Sequence, residues 1–348
     1  ELPRVPAKYW GRDELFACRV ICQKRHPSIL PLLKGHTDPS DALTPGEIVK
    51  FIEGPRSTYI SQSERGLVRD PVYGISLGQT WAALAAFLGP NKNQTSGKRG
   101  YLEEEEDDEV DRMTLRPRHK KLRKEDSDEP GTISFDSNSN QSESSHGDSW
   151  LGYIELNDQG PPEDGTLQLL SSVLRHILYY GIPQDGETSK CVVEYRYMRA
   201  SLSAFTEKGR RKISAVDDGG LCLRRRVKDA FVVTKDRVAI IEAKRDFQSI
   251  QDGRPVISEK RLAQMTREAL VARMSDPNAN NYYSVIPIHA VQRYMCFLQF
   301  IFTPGYVEDF DSEAPSCFIH VTPTQWFDMN SKSHRKLIVH NVCGIMRW

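Results

Sequence analysis

Hydrophobic periodicity outlines an ordered series of helices and strands in the second half of the chain. Leucines recur at helical spacing in TLQLLSSVLRHILYYG (166–181), and SEKRLAQMTREALVARM (258–274) has the features of another helix. Apolar and charged residues alternate in CVVEYRYM (191–198), as in a strand with one buried face. RYMCFLQFIFT (293–303) is a strongly apolar run that predicts a further strand.

The segment DAFVVTKDRVAIIEAK (229–244) predicts a central hairpin between the first strand and the second helix. With its turn centred on Lys235 and Asp236, Asp229 directly opposes Glu242, and Lys244 returns to the same face. The element order is then helix, strand, strand, strand, helix, strand. This order predicts an α/β fold with a mixed central sheet flanked by helices.

Residues 1–90 are predicted to form a mainly helical N-terminal region, with helices over 44–54 and 76–90. The second helix is expected to begin with Ser76 as its N-cap residue. GISLG (74–78) also fits the G-x-S-x-G pattern of a serine hydrolase, which gives a minor alternative function with Ser76 as nucleophile. The preceding RDPVY does not have the pattern of a buried strand, so the capping interpretation is favoured.

The apolar pattern is absent from residues 91–149, which predicts a disordered linker or insertion. EEEEDDE (103–109) is followed by RPRHKKLRK (116–124), which resembles a nuclear-import signal or an arm that attracts nucleic acid. The alternative is a solvated basic run that only balances the acidic block. The segment is also a candidate arm for binding protein partners.

The composition indicates the cellular compartment of the protein but not its binding partner. The 348 residues contain 47 Lys plus Arg and 47 Asp plus Glu, so the net charge does not indicate a binding partner. The seven cysteines form no CxxC pair, which favours a reducing compartment over a disulfide framework or structural zinc. No apolar stretch is long enough to span a bilayer. An intracellular protein, nuclear or cytoplasmic and without membrane contact, is therefore expected.

Two carboxylates facing each other in an apolar strand pair suggest a metal site. At low dielectric Asp229 and Glu242 would repel, so one would be protonated unless a cation neutralised them. Mg²⁺, or Mn²⁺ in its place, suits such a site because hard divalent ions bind carboxylates, waters and substrate phosphates. Lys244 could then orient a water or stabilise charge on a phosphate under attack.

This arrangement resembles the PD-(D/E)xK nuclease superfamily, which has the restriction-endonuclease-like fold, over about residues 160–305. The resemblance implies that residues 150–348 form a nuclease-like domain in which Asp229 and Glu242 hold Mg²⁺ and Lys244 assists phosphodiester hydrolysis. Gln264, in the following helix, matches a glutamine that several branches of the superfamily carry. DNA is the expected substrate.

The resemblance is incomplete at two positions. Lys228 stands where the superfamily has a proline before the first acid. The superfamily often carries an acid on its first helix, where 166–180 has none, so Glu163 or Asp164 is the candidate third metal ligand and His176 is another. Without a third ligand, the alternative is a catalytically degenerate module that binds nucleic acid or a protein.

Basic clusters lie on both sides of ISAVDDGG (213–220), in KGRRK (208–212) and LRRRVK (223–228). A phosphate backbone entering the site would need such positive charge. The alternative is a flexible, solvated loop bracketed by its own charges. The predicted nucleic-acid contacts are Arg210, Arg211, Arg224, Arg225, Arg226 and Arg245.

Overall fold

The parts of the chain that flank the charged segment pack as one compact unit. The computed structural model describes residues 9–37, 45–89, 163–182, 190–206, 211–251, 254–276 and 283–348. Residues 1–92 and 152–348 belong to the same unit. The N-terminal region and the C-terminal part therefore build one fold. The predicted disorder and the charged runs of 91–149 lie outside the described residues.

Helices in the described residues include those predicted at 166–181 and 258–274. In chain order they are α1 (Arg12–Ala17), α2 (Gly46–Glu53), α3 (Glu64–Arg69), α4 (Gly74–Ala85), α5 (Glu163–Tyr180), α6 (Glu259–Met274), α7 (Tyr306–Asp309) and α8 (Lys332–Arg347). Ser76 lies within the first turn of α4 and is not its N-cap, so that prediction is wrong. Ser258 caps α6 by accepting a hydrogen bond from the backbone N–H of Arg261 (3.3 Å).

Strands in the described residues confirm a mixed sheet flanked by helices. They are β1 (Val20–Cys22), β2 (Cys191–Arg196), β3 (Ser201–Phe205), β4 (Lys212–Val216), β5 (Gly220–Val227), β6 (Ala230–Lys244), β7 (Ile250–Gln251), β8 (Arg254–Pro255), β9 (Ser284–Val285), β10 (Pro287–Val291), β11 (Tyr294–Phe302), β12 (Ile319–Pro323) and β13 (Phe327–Asp328). The main sheet has the order β1-β12-β11-β10-β6-β5-β2. β6 and β10 are parallel, with α6 between them in the chain, whereas β2, β5 and β6 form an antiparallel series.

The hairpin predicted within 229–244 is wrong, because these residues lie almost entirely in the single strand β6. The turn falls seven residues earlier, at Lys228 and Asp229, and joins β5 to β6 with Val227 opposite Ala230. Lys228 adopts φ +56°, in the left-handed region. Both candidate turns contain Lys-Asp, and the one at Lys235 instead lies where β6 bulges out of register with β5.

Helices from both sides of the charged segment share one hydrophobic core. Phe51 of α2 stacks on Trp81 of α4 with 5.7 Å between ring centroids, and both belong to the same buried cluster as Leu170 and Leu174 of α5. A second cluster, containing Leu270 of α6, lies largely on the other face of the sheet. The sheet is therefore held between α5 and α6, the two helices closest to the site described next.

Candidate active site

Asp218 is the acid that lies beside Glu242. The antiparallel pairing of Gly220 with Ile240, continued by two residues, places Asp218 opposite Glu242. The backbone N–H of Asp218 donates to the carbonyl of Ile241 (3.0 Å), and Asp218 Oδ2 accepts from the backbone N–H of Ala243 (3.1 Å). The carboxylate is thus fixed against the segment of β6 that carries Glu242 and Lys244.

Two glycines after Asp218 let the chain approach β6 closely. Gly219 has φ +143°, which side chains rarely adopt. A Cβ atom on Gly220 would lie 2.5 Å from the backbone oxygen of Ala239, so any side chain there would push the strands apart. Asp217, just before them, is buried and pairs with Arg196 (2.6 Å). The alternative of a flexible, solvated loop at ISAVDDGG is therefore wrong.

Lys244 joins carboxylates from three separate parts of the chain. Its Nζ lies 2.7 Å from Glu242 Oε1, 3.2 Å from Glu163 Oε1 at the start of α5, and 3.7 Å from Asp218 Oδ2. Of the two acids predicted to precede the first helix, Glu163 reaches this cluster and Asp164 is exposed. The acid-lysine cluster, defined here as Glu163, Asp218, Glu242 and Lys244, lies at the carboxyl end of β6.

The predicted Gln264 faces this cluster from α6. Its Nε2 donates to Glu242 Oε1 (2.5 Å) and to Glu268 Oε1 (3.1 Å), so one amide bridges two buried carboxyl groups. The second oxygens of both glutamates are buried and have no hydrogen-bond partner among the described residues. Arg261, one turn earlier, donates to Gln264 Oε1 (3.4 Å). Glu268 and Arg261 were not predicted, because their spacing on α6 matches no motif.

Burial and mutual charge govern protonation in the cluster. Burial raises the pKa of Glu242 to about 7, an effect that Lys244 opposes and Asp218 reinforces. Burial also raises the pKa of Glu268 well above its usual range, with Glu242 adding to the shift. The pKa of Lys244 is raised although burial opposes this, because Glu242, Asp218 and Glu163 surround the ammonium. The site therefore combines a lysine that stays charged with two carboxyls, those of Glu242 and Glu268, that readily accept protons.

The predicted role of Asp229 does not agree with its position. It lies exposed in the β5–β6 turn, at the opposite end of β6 from Glu242. The predicted pairing of Asp229 with Glu242 is therefore wrong, and the acid opposite Glu242 is Asp218, two residues before β5. The Asp-Asp-Gly-Gly sequence before an apolar strand was the signal that could have identified it.

Predicted nucleic-acid contacts separate into distinct regions. Arg224, Arg225 and Arg226 lie on the part of β5 remote from the acid-lysine cluster. Arg245 follows Lys244 directly and has Asp246 3.5 Å away. Arg211 precedes β4, whereas Arg210 lies outside the described residues.

Ser76 and His176 contact each other rather than the cluster. Ser76 Oγ lies 3.0 Å from His176 Nδ1, and His176 Nε2 lies 3.1 Å from the backbone oxygen of Glu47. The imidazole is fully buried, and α3 rather than a strand precedes α4. This context is not that of a nucleophile elbow, so the geometry favours a structural role for both residues. His176 is accordingly not at the predicted metal site.

The donor chemistry of the cluster suits a hard divalent cation, since it offers three carboxylates and Glu242 Oε2 is buried without a donor. In the present arrangement, however, the described residues contain no group of three or more His, Cys, Asp or Glu side chains spaced to hold a metal. The Lys244 ammonium is the cation between these acids.

The chain matches no protein-family model, and no curated protein is significantly similar to it. None of the helices in the described ranges combines the length and hydropathy needed to cross a membrane.

Proposed function

We propose that the chain is a metal-dependent nuclease with a restriction-endonuclease-like core, hydrolysing phosphodiester bonds of DNA. The observation that supports this most is the contact of the Lys244 ammonium with carboxylates of Glu242, Glu163 and Asp218, which come from β6, α5 and the loop before β5. These residues correspond to the acid, acid-x-lysine and first-helix acid of the PD-(D/E)xK pattern. Asp217, not proline, precedes Asp218.

In this proposal Asp218, Glu242 and Glu163 would hold Mg²⁺ or Mn²⁺, which supplies positive charge to the scissile phosphate and lowers the pKa of a bound water. Lys244 would orient the attacking water or stabilise negative charge as it develops on the phosphate. Gln264 would keep the Glu242 carboxylate in place through its amide. The raised pKa of Glu242 means that cation binding would displace a proton.

A cleavage assay on supercoiled plasmid and labelled oligonucleotides, with Mg²⁺, Mn²⁺ or EDTA, tests this function. Wild-type protein is expected to cut with either metal and not in EDTA, whereas Glu242→Gln and Lys244→Met abolish cutting. Lys212→Met, at an exposed position on β4, serves as the matched control for loss of a lysine. Cleavage that survives both site substitutions would refute the proposal.

The degenerate nuclease-like module is the second candidate, and it is favoured by the spacing of the acids, since no three His, Cys, Asp or Glu side chains among the described residues are arranged to hold a metal. If the folded wild-type protein cuts no substrate with either metal yet binds DNA in a salt-sensitive manner, this alternative replaces the nuclease.

A further inference from the structure

The far ends of β5 and β6 form a two-stranded ribbon that projects from the sheet. We define the ribbon as residues Arg224–Thr234. From Arg225 to Thr234 every residue is exposed, including Phe231 (40%), Val232 (44%) and Val233 (45%). β10 pairs with β6 only from Ile240 onward, and β2 pairs with β5 only as far as Arg225. Beyond Arg225 no third strand of the described residues pairs with the ribbon, although the backbone N–H of Arg226 still donates to the carbonyl of Lys190 (2.7 Å).

Charge on the ribbon is predominantly positive. Arg224, Arg225, Arg226 and Lys228 are accompanied by one acid, Asp229. Glu194 of β2 pairs with Arg224 (3.3 Å), while Arg225, Arg226 and Lys228 make no ion pair with the described residues. This charge would repel a second copy of the same ribbon and attract a polyanion.

The cations occupy both faces of the ribbon. Arg226 opposes Phe231 and Arg225 opposes Val232, and neighbouring residues along a strand point to opposite faces. A ribbon lying flat on a surface would use cations on one face only. A ribbon inserted into the major groove of a duplex, which is wide enough for two strands, would present cations to the phosphates on both walls.

The ribbon lies well away from the acid-lysine cluster. Arg226 follows Asp218 by eight positions, which corresponds to roughly 26 Å at about 3.3 Å per residue of extended chain. A substrate contacting both regions must therefore extend at least this far, which is about eight base pairs at 3.4 Å per pair.

We infer that the ribbon is a second nucleic-acid contact that inserts into the groove of a duplex about 26 Å from the acid-lysine cluster. This inference deepens the proposed function by specifying duplex rather than single-stranded nucleic acid. It rests on the proposed function only for the role of the cluster, because groove binding by the ribbon requires no cleavage.

Fluorescence anisotropy in EDTA separates binding from cleavage. The probes are a 20-base-pair DNA duplex and a 20-nucleotide single strand, titrated with wild type, Arg225→Gln/Arg226→Gln and Arg225→Lys/Arg226→Lys. The control Arg65→Gln/Arg69→Gln removes the same charge from exposed positions on α3.

The ribbon double-Gln variant is expected to bind the duplex about tenfold more weakly, with the log–log salt slope reduced by about 2. The double-Lys variant should stay within about threefold of wild type, because it retains both charges. The α3 control and single-strand binding should change little. Equal losses for the ribbon and α3 variants, no loss for either, or an equal loss on the single strand would each overturn the inference.

Analytical sedimentation of the same proteins tests the alternative that the ribbon binds a second copy of the chain. A wild-type dimer that becomes monomeric in the ribbon variant would assign the ribbon to self-association and overturn groove binding. If the protein binds the duplex through the ribbon but does not cleave it, the nuclease proposal is refuted and groove binding by the ribbon stands. If the ribbon variant cleaves and binds as wild type does, groove binding is refuted and the nuclease proposal stands.

Discussion

Asp218 Oδ2 accepts a hydrogen bond from the backbone N–H of Ala243, the residue between Glu242 and Lys244, at 3.1 Å. This contact links the start of β5 to the carboxyl end of β6 and fixes the spacing of the acids. It makes Asp218, rather than Asp229, the residue whose loss should change the chemistry of the site.

Asp218→Asn should therefore impair DNA cleavage, whereas Asp229→Asn should not. We expect Asp218→Asn to reduce DNA cleavage at least about 100-fold, the scale on which loss of one preorganised electrostatic group acts. The asparagine oxygen can still accept from Ala243, so the fold should persist. Asp229→Asn should leave the cleavage rate unchanged. Initial rates on a labelled duplex measure both, and equal effects would contradict the assignment.

Glu268 should make stability fall as pH rises. Its pKa is raised in the folded state, so its contribution is present below the unfolded value of about 4.5 and is lost progressively as pH increases. When the pH is raised from 5.5 to 8.5, the unfolding free energy of Glu268→Gln should therefore fall by less than that of wild type. Urea unfolding at both pH values measures this change. Glu259→Gln, exposed on the same helix, should keep the wild-type slope.

His176 should make the stability of the fold decrease as pH falls, which is the opposite of the effect of Glu268. Burial lowers its pKa, so the neutral imidazole stabilises the fold above the unfolded pKa of about 6.5, and this contribution is lost as pH falls. His176→Phe should cost about 1–3 kcal/mol at pH 8, because Ser76 and the Glu47 carbonyl lose a partner. Between pH 8 and pH 5.5, however, the unfolding free energy of His176→Phe should fall by less than that of wild type. Ser76→Ala retains the buried imidazole, so its acid sensitivity should resemble that of wild type in urea unfolding.

Gly78 should not tolerate alanine, although alanine normally favours a helix. A Cβ atom at Gly78 would lie 2.5 Å from Val68 Cα and 2.6 Å from the Leu67 backbone oxygen, so α3 and α4 would have to separate. We expect Gly78→Ala to destabilise the protein by about 1–3 kcal/mol. Gly46→Ala, where no atom lies within 4 Å of the added Cβ, should be neutral or stabilising. Thermal unfolding of the two variants compares these outcomes.

Local periodicity predicted the elements whose pattern is set by one buried face, including α5, α6, β2 and β11. The element order also indicated the mixed sheet, and the strand pattern indicated Glu242 and Lys244. Gln264 and Glu163 came from the resemblance to the PD-(D/E)xK superfamily. Strand pairing was harder, because Lys-Asp occurs both at residue 228 and at residue 235 and either could form the turn. Because the turn lies seven residues earlier than predicted, the acid opposite Glu242 is Asp218 and not Asp229.

The remaining features depend on tertiary contacts that leave little trace in local sequence. Glu268 is buried by neighbours from other elements, and Arg261 reaches the site only because α6 packs beside β6. The bulge in β6 is likewise not visible in the local sequence. There, three steps along β5 from Leu221 to Arg224 correspond to six steps along β6 from Ala239 to Val233. Charge composition alone could not show that Arg224–Arg226 would be remote from the acids.

The sharing of one core by helices from both sides of the charged segment has a consequence for biosynthesis. β1 pairs with β12, Val20 lying opposite Ile319, and α4 packs on α5. At about 5–20 residues per second, the first ninety residues would leave the ribosome many seconds before those partners are made. Phe51, Trp81 and their neighbours would meanwhile expose apolar surface, so the nascent chain should be a client for chaperones until α5 and β12 have been synthesised.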